Sequence, residues 1–166
     1  MQSSVCKNTP YLEQLSTFIA RLNNGLFTIK PSRHDFTGTI GSHTRHVIEF
    51  YVQFIAGVES GSINYDHRQR NILFETDAQA ALSELQNIIR YFSEHNPDSE
   101  AVCHVVSENV SYHSSIGREL MYLAEHTVHH LALIRLIAES EGMDCNDEEM
   151  FGVASSTKIY RQSQNN

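Results

Sequence analysis

Leu123-Ala124-Glu125-His126-Thr127-Val128-His129-His130 sits inside a long apolar pattern, and its reading decides the fold. The pattern starts at Ser114 or Ser115 and runs to about Ser140, with Gly142 as its stop. Leu120, Leu123, Thr127, Leu131, Ile134 and Ile137 recur at helical spacing and form one stripe. His126 and His130 are four residues apart, so on a helix they share a face, about 6 Å apart along the axis. Both flank the apolar stripe, whereas His129 points toward solvent. Neutral imidazole is the commonest protein ligand for transition metals. A third histidine from another helix would complete a facial set and leave open positions on the ion, as a catalytic site requires.

A second cluster, Gly41-Ser42-His43-Thr44-Arg45-His46, offers that third ligand. It opens a helix capped by Thr39 and running to about Ala56, with Ile40, Thr44, Val47, Ile48, Tyr51, Phe54 and Ile55 inward. On the wheel His43 lies nearer the centre of the stripe than His46. His46 sits at the edge, as His126 does on its own helix. A ligand at the open end of a helical assembly need not be central, so the wheel leaves both residues in play.

Two further helices follow from the same periodicity. Thr9 and Pro10 suit a helix start, Leu12, Leu15, Phe18, Ile19 and Leu22 give its stripe, and Asn24-Gly25 ends it. Leu26 to Phe36 is a connector. Thr76 is expected to cap another helix through Ala80, Leu82, Leu85, Ile88, Ile89 and Phe92, ending near His95-Asn96-Pro97. Gly57 to Gly61 and Ile63 to Asn71 look like loops. The β-branched stretch from Val102 to Tyr112, around Ser107-Glu108-Asn109, suits a short hairpin. The tail from about Asp144 is polar apart from Met150 to Ala154. The expected fold is all-α: a four-helix bundle in a single domain over 1–166, with a short hairpin before the last long helix. Bundles commonly build metal sites from side chains on facing helices.

Composition narrows the function. The 166 residues carry a net charge of -8 and no basic run, which argues against nucleic-acid binding. No apolar stretch approaches the roughly 20 residues that span a bilayer. Met1 to Lys7 has no hydrophobic core, so no secretory signal is visible. Cys6, Cys103 and Cys145 are odd in number and widely spaced, which suits reduced thiols in a cytoplasmic protein.

Several chemistries lack their motifs. There is no H-E-x-x-H for zincin-type hydrolysis and no Glu-x-x-His helix pair for a ferritin-like di-iron centre. No nucleophile elbow, Walker loop or dinucleotide fingerprint is present. Against a metal site stands a plainer alternative. A histidine beside an apolar face is usually a satisfied boundary residue, and i, i+4 pairs arise by chance in a chain with ten histidines.

The two clusters resemble the DinB-like family of bacterial helical-bundle proteins. Thr39-Ile40-Gly41-Ser42-His43-Thr44-Arg45-His46-Val47 is similar to the family's second-helix motif, whose final histidine is a metal ligand. Leu123 to His130 is similar to its His-x-x-His-His signature, whose first and last histidines bind metal. The resemblance therefore implies His46, His126 and His130 as ligands. Zn²⁺ and Ni²⁺ both suit imidazole, and ligand type alone does not choose between them. Tyr65-Asp66-His67-Arg68-Gln69-Arg70 and Phe151 to Thr157 also look like segments of a subgroup. The chain departs from the common form at Leu131-Ala132, where many members carry Arg-Gly.

Similar proteins include S-transferases that use low-molecular-weight thiols, and a thiol-dependent isomerase. The resemblance implies a metal-dependent enzyme with a small-molecule substrate, its nucleophile a thiol or a water on the ion. Glu49 and Glu125 lie near the ligands in sequence, each expected on a solvated face. Cys103 is expected as a buried inert thiol. A homodimer is expected, as is common in the family. The rival function is a non-enzymatic metal-binding or stress-associated interaction protein.

Overall fold

A computed structural model describes residues 8–32, 37–145 and 150–164. Cys6 and the other residues up to 7 lie outside the described residues. Helix α1 spans Asn8–Arg21 and a short α2 spans Asn24–Thr28. Helix α3, Ile40–Val58, starts where its cap dictates. Thr39 Oγ1 accepts from the Ser42 amide at 2.9 Å, and Ser42 Oγ accepts from the Thr39 amide at 2.8 Å. This reciprocal pair satisfies two amides that a helix start leaves without partners.

After α3 come strand β1 (Ser62–Asn64), a 3-10 turn at Tyr65–His67, and the one-turn helix α4 (Leu73–Thr76). Helix α5 (Ala78–Glu94) follows, then β2 (Val102–Ser107), β3 (Val110–Ser115), α6 (Ile116–Ser140) and α7 (Ser155–Gln164). The four long helices pack side by side, α1 on α5 and α6, and α3 on the same two. Leu12, Leu15 and Phe18 of α1, Ile48 and Phe54 of α3, Leu85 and Ile88 of α5, and Leu120, Leu131 and Ile134 of α6 fill the space between. Each such side chain contributes about 1.5–3 kcal/mol on leaving water. The whole α6 stripe read from the sequence is buried.

The all-α expectation fails, and with it the description as a four-helix bundle. A three-stranded mixed sheet, in the order β1-β2-β3, is part of the fold. The hairpin forms where the sequence suggested. Glu108 and Asn109 both take positive φ, 49° and 64°, as a two-residue turn matching the strand twist requires. The β1 strand was missed because three residues carry no periodicity. It runs parallel to β2, pairing Ser62 with His104 and Asn64 with Val106, and buries Ile63. A third strand also steadies a hairpin that alone is marginal in water.

Gly57, expected in a loop, belongs to the last turn of α3 and is buried. A Cβ there would lie 2.7 Å from Ser62 O and from Ile63 Cγ1, so glycine is what lets β1 lie against the helix. Thr76 is the last residue of α4 and not a cap. Asp77 caps α5, its carboxylate accepting from the Gln79 and Ala80 amides at 2.8 and 3.2 Å. The tail expected as polar carries α7, whose first residue Ser155 lies 2.6 Å from the Tyr11 hydroxyl, and just before it Phe151 stacks on Phe18 at 4.4 Å. No described helix is long and apolar enough to cross a membrane.

Candidate metal centre

Helices α3 and α6 lie against each other, and their register brings the two histidine clusters together. His46 Nε2 lies 3.0 Å from His126 Nε2. His46, His126 and His130 each offer a nitrogen such that all three lie within 4.8 Å of one another. His130 is buried and the other two are half-buried, which places the group at the edge of the helix pair. The structure thus puts His46, and not the wheel-preferred His43, into the group of three. His129 is exposed, as its direction on the helix required.

Burial pushes all three imidazoles far below the ordinary value of 6.5. His46 and His126 come to about 4, and His130 to about 2. After burial, the charge of neighbouring histidines deepens each shift, His126 acting on His46, His129 on His126, and His126 and His46 on His130. At neutral pH the rings are therefore uncharged, with lone pairs available. Two nitrogens on one ion at about 2.0–2.1 Å sit between about 2.9 and 3.4 Å apart, from right-angled to tetrahedral arrangement. The 3.0 Å between His46 and His126 falls in that interval. Three neutral imidazole nitrogens are, by their chemistry, a donor set that suits a divalent transition ion.

His43 stands just behind the group. Its Nδ1 lies 3.0 Å from His130 Nδ1, and its Nε2 lies 3.1 Å from the carbonyl oxygen of Thr37. Burial lowers its pKa as well.

Aromatic rings wall the other side. The Phe50 ring lies 4.7 Å from His46 and 4.3 Å from His126, Tyr65 stacks on Phe50 at 5.0 Å, and Tyr122 stacks on His126 at 5.5 Å. The Arg68 guanidinium sits 4.6 Å above Phe50, and its charge further disfavours protonation of His46 and His126. Sequence reasoning missed Phe50 and Tyr122, although they lie four residues from His46 and His126 on the same helix faces, which was a usable signal. Tyr65 and Arg68 lie in a segment with no helical period to place them. Their approach to the three histidines follows from where the 3-10 turn docks on α3.

Glu49 is not on a solvated face. It is buried between Arg45 and Arg68, at 3.5 and 3.7 Å, and desolvation raises its pKa against the pull of those two arginines. Glu125 is exposed, as expected. Cys103 is fully buried, and that burial pushes its thiol up. Glu119, unremarked in the sequence, is fully buried and accepts from Tyr65 Oη at 3.1 Å, from Arg118 at 2.9 Å and from Ser114.

None of the known protein-family models matches the chain, and no solved structure matches it. Over 110 residues the chain is 34% identical to FK506-binding protein 5 from Rhizopus delemar. The match covers 61% of this chain and 28% of that protein. The match thus spans less than a third of that protein's length.

Proposed function

We propose that this chain is a divalent-metal-dependent enzyme related to the DinB-like proteins, in which His46, His126 and His130 hold Zn²⁺ or Ni²⁺. The observation that carries this is the convergence of three uncharged imidazoles, from two helices, to within 4.8 Å. Lewis acidity is what the ion would add, lowering the pKa of a low-molecular-weight thiol or of water. The chain's own residues suit that chemistry. Three neutral ligands leave the ion's charge uncompensated, and Arg68 adds a positive charge beside two of the ligand rings, so an anion such as a thiolate is favoured. Phe50, Tyr65 and Tyr122 exclude water from one flank. The substrate is a small molecule, and a cytoplasmic homodimer belongs to the same reading. FK506 binding is not carried over from the Rhizopus delemar protein, because the match covers 28% of it.

Metal analysis of untagged protein tests the site. One ion per chain is expected, lost in a His126→Ala/His130→Ala variant. Absence of metal from unmodified protein, after growth and dialysis with zinc and nickel, defeats the proposal. A screen of thiol cosubstrates against electrophilic acceptors then separates an enzyme from a binding protein. Turnover that survives His46→Ala contradicts the assigned role.

A further inference from the structure

We propose that His43 is a positioning residue that fixes His130 as its Nδ1–H tautomer and so presents His130 Nε2 as the ligand atom. This rests on the three-histidine metal site proposed above. The Thr37 carbonyl oxygen has no hydrogen to give. The 3.1 Å contact with His43 Nε2 therefore requires the proton on that nitrogen. A neutral His43 then has only a lone pair at Nδ1. The 3.0 Å contact between the two Nδ1 atoms requires one hydrogen, and His130 must supply it. With its proton on Nδ1, His130 is left with a bare Nε2. The direction of each hydrogen bond is thus set by a backbone carbonyl two steps away. Metal-bound histidines generally have their other nitrogen held in this manner, usually by a carboxylate, a carbonyl or water. Here a second histidine takes that place.

The backbone around Thr37 is built to hold the relay. Gly38 has φ +85°, a conformation that side chains rarely adopt, and it turns the chain just before the Thr39 cap. A Cβ on Gly38 would come 2.5 Å from Ser42 Oγ and 3.5 Å from His43 Nε2. Glycine therefore leaves room for the Ser42 hydroxyl of the capping box, next to the His43 ring.

Long-range ¹H–¹⁵N NMR of the imidazoles, with and without zinc, reads the tautomer directly. In the metal-free wild-type protein His130 should show a protonated Nδ1 and a bare Nε2. His43→Ala should convert His130 to a mixture or to the Nε2–H form, and should weaken zinc binding by about 10–100-fold in competition with a chromophoric chelator. His43→Asn places an amide oxygen near the lost Nδ1, and should restore both the tautomer and, to within a few-fold, the affinity. An Nε2–H signal on His130 in the wild-type protein overturns the proposal. So does unchanged zinc affinity in a folded His43→Ala variant, or a His43→Asn variant as weak as His43→Ala. If wild-type protein takes up no zinc, the metal reading fails by itself. The His130 tautomer in the metal-free protein then still decides whether His43 directs it.

Discussion

Mild acid should destabilise the metal-free protein through its buried histidines. The perturbation is a fall from pH 7 to pH 5 in the presence of a chelator. In the folded chain His46 and His126 protonate at about 4 and His130 at about 2, while an unfolded chain takes up these protons near 6.5. Between those limits the unfolded state binds more protons. Stability is therefore present above pH 6.5 and is lost as the pH falls through it. Because all three folded values lie below pH 5, the loss depends on the pH interval more than on their depth. Linkage gives about 1.8 kcal/mol for each ring across that interval. Solvent access at half-buried His46 and His126 reduces their share to about 1 kcal/mol each, for a total of about 4 kcal/mol. Typical domains have about 5–15 kcal/mol in all, so the effect is large. Urea unfolding at pH 7, 6 and 5 measures it. A His46→Asn/His126→Asn/His130→Asn variant should lose most of the pH dependence. A wild-type protein equally stable at pH 7 and pH 5, or a triple variant with the same loss, would refute the burial argument.

Two further substitutions test how the site is held in place. Tyr51 is fully buried, and its hydroxyl donates to Asn8 Oδ1 at 2.7 Å and lies 3.0 Å from Thr127 Oγ1, between the two histidines of α6. Tyr51→Phe leaves the Asn8 oxygen buried without that donor, so chemical unfolding should show a loss of about 1–3 kcal/mol. Gly41 sits where a Cβ would come 2.0 Å from the Glu75 carbonyl oxygen. Gly41→Ala should push α4 off α3 and lower stability by about 1–3 kcal/mol in thermal or urea melts, whereas a neutral result would show that α4 yields freely.

The long helices were legible because their cores are periodic. Leu120 to Ile137 on α6 and Ile40 to Phe54 on α3 repeat at 3.6 residues, and each is opened by a Ser or Thr cap, Ser115 and Thr39. The hairpin was legible from β-branched residues around a turn. Short elements were not. Ser62 to Asn64 has too few residues to show a period, and its parallel partner β2 is distant in sequence. The α7 helix was hidden because its residues are mostly polar and exposed. What anchors that end of the chain is Phe151 against Phe18, a contact between the two ends of the sequence.

For the site, the sequence by itself determined the direction of each α6 histidine. A helix of fixed pitch puts His126 and His130 on one side and His129 on another, whatever it packs against. It could not choose between His43 and His46, because both border the buried stripe of α3 and the wheel contains no neighbour. The tertiary structure decided that. The register of α3 against α6 sets His46 Nε2 3.0 Å from His126 Nε2 and His43 Nδ1 3.0 Å from His130 Nδ1. The burial of Glu49 and the approach of Arg68 and Tyr65 were decided in the same way, by which chain segments dock there. Local spacing fixes which side chains share a face, and only packing fixes what that face meets.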